Sequence, residues 1–346
     1  MKLATTLRFA PNEGGIGMDL VWEAERLGFD AVWAGEAYGT DAVTPVTWAL
    51  ARTSRIKAGT SIMQMPARTP ACAAMTALSL QALSGNRFLC GIGPSGPQVV
   101  EGWHGVPFGR PQARTREYVA IIRQILARKA PLEHHGEHYD IPYTGPGSTG
   151  LGKPLRSIGQ GDPSLKIYTA PISPGGLRTA GEVADGALPF FMSPDKPNVI
   201  IGPILEGRAK AGKPKNFYDF DLAPYVRIKI GDDIVACRDA LRPGLALYIG
   251  GMGARGRNFY NDLAKRLGYE AAAAAIQDHF LAGRRNEAAA AVPDALIDEI
   301  SLVGPPERIK DRLQAWQELA KESWVGSLVL AGADAAAMRV VAEAAL

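Results

Sequence analysis

The chain has 346 residues, 47% of them hydrophobic and 21% charged, with a formal net charge of +3. That balance suits a soluble globule, is too mild for a nucleic-acid binder, and includes no apolar run long enough to span a bilayer. Cys72, Cys90 and Cys237 stand far apart without a CxxC pair, which argues against a disulfide scaffold or a zinc site.

The chain opens on a strand pattern at residues 3–9, with no signal peptide before it, so a cytoplasmic protein is expected. A helix pattern over 17–27 runs into Gly28-Phe29-Asp30 and a second strand at 31–36. A helix over 43–52 leads to a third strand at 56–63. The next helix, 70–83, stops at Ser84-Gly85-Asn86, where glycine favours the left-handed turn that ends helices. A fourth strand, 87–93, feeds a glycine-rich turn, and a long helix follows over 111–128. Four consecutive strand–helix units predict a parallel sheet covered by helices. Further strands are expected at 165–170, 187–191, 222–230 and 327–330. Eight such units fit an α/β (β/α)8 TIM barrel better than a doubly wound sheet. Two segments exceed a minimal barrel: about 131–161, rich in Gly, Pro and His, and about 231–292, rich in helix formers. Both read as insertions outside the barrel or over its mouth, and 1–346 reads as one domain.

Active sites of such barrels form at the C-terminal strand ends. That rule selects Glu13 after strand one, Glu36 and Tyr38 after strand two, and Ser61, Ile62 and Gln64 at strand three. After strand four it selects Gly91-Ile92-Gly93-Pro94-Ser95-Gly96-Pro97, then Gln98 and Glu101. Ala170, Ile172 and Ser173 follow strand five, and Pro189 and Phe190 strand six. The turn would bring backbone N–H groups close to an anion, because glycine lacks the Cβ that would block the approach. Gly91, Gly93 and Gly96 match the spacing of a dinucleotide fingerprint, but the match follows the fourth strand and is broken by Pro94 and Pro97. The acidic residue expected about twenty positions on is absent as well. No H-E-x-x-H or G-x-S-x-G pattern occurs, and His134, His135 and His138 lie in a Gly/Pro-flanked segment that reads as surface. Backbone amides, apolar walls and a few carboxylates are what a flavin-like cofactor needs.

The runs Ala24-Glu25-Arg26-Leu27-Gly28-Phe29-Asp30-Ala31-Val32-Trp33, Leu83-Ser84-Gly85-Asn86-Arg87-Phe88 and Ser95-Gly96-Pro97-Gln98-Val99-Val100-Glu101-Gly102-Trp103-His104-Gly105 carry a family resemblance. So do Thr179-Ala180-Gly181-Glu182-Val183-Ala184-Asp185-Gly186-Ala187 and Leu302-Val303-Gly304-Pro305-Pro306-Glu307-Arg308. With these motifs the chain resembles the luciferase-like oxidoreductases, in particular the actinobacterial branch that uses the deazaflavin coenzyme F-420. The resemblance implies a non-prolyl cis peptide in a bulge at Ser61-Ile62, with Ile62 backing one face of the cofactor ring. It implies a phosphate held along Gly93, Ser95, Gly96 and Pro97, and cofactor contacts from Glu36, Tyr168 and Ala170. Arg110, Arg114 and Arg116 read either as attracting the coenzyme's acidic tail or as a solvated helix face. Pro171-Ile172-Ser173-Pro174 departs from the family's simpler Ala-Gly-Gly. Glu36-Ala37 replaces the Asp-His pair of some relatives, so no catalytic histidine carries over there. Glu13, Glu36 and Glu101 remain as candidate catalytic acids, with Tyr38 and His104 beside them. The implied activity is hydride transfer between F-420 and an apolar or conjugated small molecule, in a homodimer or higher homo-oligomer. FMN-dependent monooxygenation on the same barrel is the alternative.

Overall fold

The computed structural model of the chain describes residues 1–10 and 15–346. Eight parallel strands form its centre: β1 Lys2–Thr6, β2 Ala31–Ala34, β3 Lys57–Thr60, β4 Phe88–Gly93, β5 Ile167–Thr169, β6 Gly186–Ala187, β7 Tyr225–Ile230 and β8 Ser327–Ala331. Neighbours pair in chain order from β1 to β6. The short strand Asp221–Leu222 carries the sheet from β6 towards β7, Tyr225 N–H donates to the Pro189 carbonyl, and β7 pairs with β8. β8 returns to β1 through Lys2↔Ser327 to Thr5↔Leu330, which closes the barrel.

Strand periodicity sorts the residues into two cores. Leu3, Val32, Phe88, Cys90 and Ile92 point outwards into the shell between barrel and helices. Ala4, Trp33, Leu89, Tyr168, Leu188 and Val329 point inwards and fill the barrel. Cys90 is thus a buried small hydrophobe, and burial pushes its thiol up to about 12. The helices begin and end on ordinary local signals. Helix Pro70–Ser84 has Pro70 in its first turn, Thr69 accepting from Cys72 N–H at 3.2 Å, and Gly85 at φ +62° as its stop.

Three features depart from the sequence reading. An additional parallel strand, Ser301–Gly304, pairs with Arg227–Ile230 on the edge of β7. It follows helix Asp294–Ile300 without any intervening turn residue, so no local signal announces it. Residues 131–161 contain a small antiparallel pair, His134–His135 with Asp140–Ile141. Of the three histidines there only His135 is exposed; His134 Nε2 lies 3.3 Å from the Glu117 carboxylate, which also accepts from the Glu137, His138 and Tyr139 amides. Among the described residues no group of three metal-ligating side chains occurs, and no helix is long and apolar enough to cross a membrane.

The segment after β7 runs through helix Ile234–Ala246 into a π-helical turn, Leu247–Gly251. Helices Phe259–Arg266, Glu270–Leu281 and Arg285–Ala290 follow. Two buried asparagines secure the π turn. Asn258 donates to the Tyr248 and Ile249 carbonyls at 3.1 and 2.9 Å, and Asn261 to the Ile249 and Ala273 carbonyls at 3.1 and 2.7 Å. They satisfy carbonyls that a π turn leaves unpaired, and so fix Tyr248 against the barrel.

Asp221 starts the short strand beside β6 and sits at the floor of the barrel. Its Oδ2 accepts from Tyr168 Oη and Ser327 Oγ, both at 2.9 Å, while its buried Oδ1 has no partner. Burial raises its pKa, with the Lys2 charge opposing. The fold therefore favours the neutral acid, so its contribution to stability is complete below the unfolded Asp value of about 3.9 and is lost as pH rises. Asp221→Asn removes this titration. Its melting temperature relative to the parent chain should rise between pH 4 and pH 8; a pH-independent difference would show that Asp221 ionises equally easily folded and unfolded.

Candidate active site

The C-terminal ends of the strands carry an apolar platform. Ile62, Ala170, Phe190 and Ala331 are half-buried and pack on top of the inner core. The bond Ser61–Ile62 is a non-prolyl cis peptide. Ser61 Oγ accepts a short hydrogen bond from Tyr225 Oη, which ties this bulge to β7 across the mouth. Tyr225 stacks on Phe190 with ring centroids 4.9 Å apart, and Phe190 stacks on Tyr248 at 5.6 Å. Gly93 lies under Ile62: a Cβ there would come within 2.9 Å of Ile62 Cδ1. The position must stay bare for Ile62 to lie where it does.

The glycine loop leaves β4 beside this platform. Ser95 adopts φ +62°, a left-handed turn uncommon for a side-chain-bearing residue. Gly96 then caps the short helix Pro97–Gly102, accepting at its carbonyl from Val99 and Val100. The Ser95 and Gly96 N–H groups have no acceptor among the described residues. Across the rim, the departing segment after β5 opens helix Pro174–Val183, with Ser173 accepting from Gly176 N–H at 3.1 Å.

Glu36 follows β2 and its side chain is only 6% exposed. Oε1 accepts from Arg68 Nη1 at 2.8 Å and Gln64 N–H at 3.1 Å, and Oε2 accepts from Ala42 N–H at 2.9 Å. Gln64 extends the knot: its Nε2 donates to the Ala37 carbonyl at 2.7 Å, and its Oε1 lies 3.3 Å from His104 Nε2. The structure therefore gathers Glu36, Gln64 and His104 from three separate strand ends.

The other sequence-selected residues distribute unevenly. Glu13 lies outside the described residues. Glu101 is exposed and, among the described residues, accepts from Phe108 N–H at 3.4 Å. Tyr38 is 63% exposed. The Tyr168 ring is inside the barrel, edge-on to Trp33 at 5.1 Å, and its hydroxyl donates to Asp221 at the floor. Inward parity sends Tyr168 below the rim, whereas Ala170, two residues on, reaches it. Arg110 and Arg116 pair with Glu137 and Glu182, each at 2.8 Å, and Arg114 donates to the Pro107 carbonyl. Sequence reasoning missed Arg68, Tyr225 and Arg227. Inward alternation along β7 could have found the last two; nothing local marks Arg68.

The chain is similar to known proteins in the following ways. The family model for luciferase-like monooxygenases matches residues 16–322. A candidate coenzyme F-420-dependent oxidoreductase of Mycobacterium tuberculosis is 41% identical over 275 residues, 79% of each chain. The 5,10-methylenetetrahydromethanopterin reductase of Archaeoglobus fulgidus is 28% identical over 275 residues, 78% of this chain and 75% of that one. The solved coenzyme F-420-dependent tetrahydromethanopterin reductase of Methanopyrus kandleri superimposes with a TM-score of 0.75 at 23% identity, over 99% of this chain and 97% of that one.

The knot around Glu36 has a measurable energy. A double-mutant cycle over Glu36→Gln and Arg68→Met should give a coupling of about 0.5–3 kcal/mol in denaturant unfolding. Additive losses would mean that the carboxylate draws its support from the Ala42 and Gln64 amides alone.

Proposed function

The chain belongs to the luciferase-like monooxygenase family, and we propose that it is a coenzyme F-420-dependent oxidoreductase that moves a hydride between the coenzyme and a small organic molecule. The observation that carries this reading is the mouth itself. A cis-bulged Ile62 stands over a bare Gly93, flanked by a turn with free N–H groups. These residues fit a planar ring with a phosphate-bearing tail. When bound, the deazaflavin supplies a ring carbon that accepts or delivers a hydride.

Each residue has a defined part in this reading. Ile62 backs one ring face and keeps the other for the substrate. Ser95 and Gly96 donate N–H groups to the phosphate, with Pro97 starting the helix behind them. Ala170 and Phe190 complete an apolar floor that excludes water. Glu36 has both oxygens engaged, so it acts as a positioning residue: it holds Gln64, and Gln64 aims His104. His104 is then the proton-carrying group of this rim. Oligomerisation through the barrel helices belongs to the same proposal.

Fluorescence titration tests it. F-420 should bind at least about tenfold more tightly than FMN, a difference of about 1.4 kcal/mol. Gly93→Val, which drives a side chain into Ile62, should weaken F-420 by a further factor of ten or so without unfolding the chain. Preference for FMN together with oxygen consumption would move the assignment to monooxygenation.

A further inference from the structure

Arg227 lies on β7 two residues beyond Tyr225, and alternation gives the two the same, inward face. Its register partner on β8 is the small Ala331, part of the apolar platform. The guanidinium carbon sits 5.6 Å from the centroid of the Tyr248 ring. Tyr248 in turn stacks on Phe190, Phe190 on Tyr225, and Tyr225 bonds Ser61 beside the cis peptide. Arg227 therefore belongs to the same mouth as Ile62.

Arg227 combines two features: it has no counter-charge, and, unlike the equally unpaired Arg266, which donates to the Ile172 carbonyl at 2.8 Å, its guanidinium has no hydrogen-bond acceptor among the described residues. No carboxylate among the described residues pairs with it, whereas Arg68, Arg116, Arg123, Arg238, Arg242 and Arg312 all carry one. Its Nε is buried and has no hydrogen-bond partner. Arginine remains charged at any physiological pH, and proteins rarely withdraw a charge from water without pairing it. The Tyr248 ring attracts one face of the cation but takes none of its five N–H donors. The surroundings also keep room for it: a Cβ at Gly244 would come within 2.8 Å of Nη1.

We infer that Arg227 is the anchor for an anionic group of the substrate, so that the substrate is an aromatic or conjugated carboxylate. The planar fork matches a carboxylate, and the neighbouring Phe190, Tyr225 and Tyr248 rings match a conjugated body. This inference rests on the proposed function, because it takes the group above the Ile62 platform to be the substrate of F-420 chemistry. The coenzyme also carries anionic groups, so the test must separate the two sources.

The test titrates F-420-loaded protein with trans-cinnamate and with its neutral analogue cinnamamide, reading bound-coenzyme fluorescence. A charged carboxylate gives the guanidinium a charge-assisted hydrogen bond that the amide does not, so cinnamate should bind at least about tenfold more tightly than cinnamamide. Arg227→Met should abolish that preference while leaving F-420 affinity within about twofold, and Arg227→Lys should restore part of it. Should Arg227→Met not fold, the Lys variant and the acid-to-amide ratio of the parent protein decide. Equal affinity for acid and amide, or no cinnamate binding up to about 10 mM, overturns the inference. Loss of F-420 binding in Arg227→Met also overturns it, because the guanidinium would then serve the coenzyme. If the parent protein does not bind F-420 at all, the functional reading has failed; calorimetric titration of the unloaded protein with the same two probes then decides the anion anchor separately.

Discussion

A closed eight-stranded barrel has to fill its own interior, and this chain does so with a few large side chains set against bare positions. Trp33 and Tyr168 occupy the centre, edge to face. A Cβ at Gly59 would come within 2.4 Å of the Trp33 ring, and one at Gly186 within 2.4 Å of the Tyr168 ring. Large residues facing glycines let the inner layers interlock at the density of a protein interior. The consequence bears on the proposed function: the barrel is plugged below the rim, which leaves the strand ends above Ile62, Ala170 and Phe190 as the place where that proposal puts ligand chemistry.

The rim then needs a rigid polar support, and Glu36 supplies it. Its carboxylate gathers two backbone N–H groups and a guanidinium from the loops after β2 and β3. Both oxygens of this carboxylate are engaged, by Arg68, Gln64 N–H and Ala42 N–H. It is a good anchor, because the Gln64 and His104 orientations follow from it. Arg68 and Arg227 make a useful contrast: one is paired with Glu36, and the other has, among the described residues, the Tyr248 ring in place of a carboxylate. Internal pairing makes the first part of the framework, and the lack of such a pair among the described residues is what the proposed anion anchor at the second rests on.

Much of this architecture could be read from the sequence because it is written in local signals. Helices over 18–27, 43–51, 70–84 and 111–127 lie within a residue or two of their predicted spans, since proline starts and glycine stops act within a turn. Eight strands and the (β/α)8 barrel follow from apolar alternation and the order of the units. The bulge at Ser61-Ile62 came through the family resemblance, not through any local rule.

What the sequence by itself determined is therefore the barrel, its strand ends and the residue types around them, because periodicity and turn chemistry depend only on neighbours along the chain. What tertiary structure alone decided is the use of each side chain. Glu36 became a hub because Arg68 folds back upon it, and Glu101 faces solvent and accepts from Phe108 N–H. Tyr168 fell below the rim, where inward parity and the partner Asp221 hold it. Arg227 has no carboxylate partner among the described residues, because none of their acids reaches it. Those outcomes depend on contacts between residues tens to hundreds of positions apart, and a carboxylate or a guanidinium looks the same in a sequence whether or not such a partner arrives.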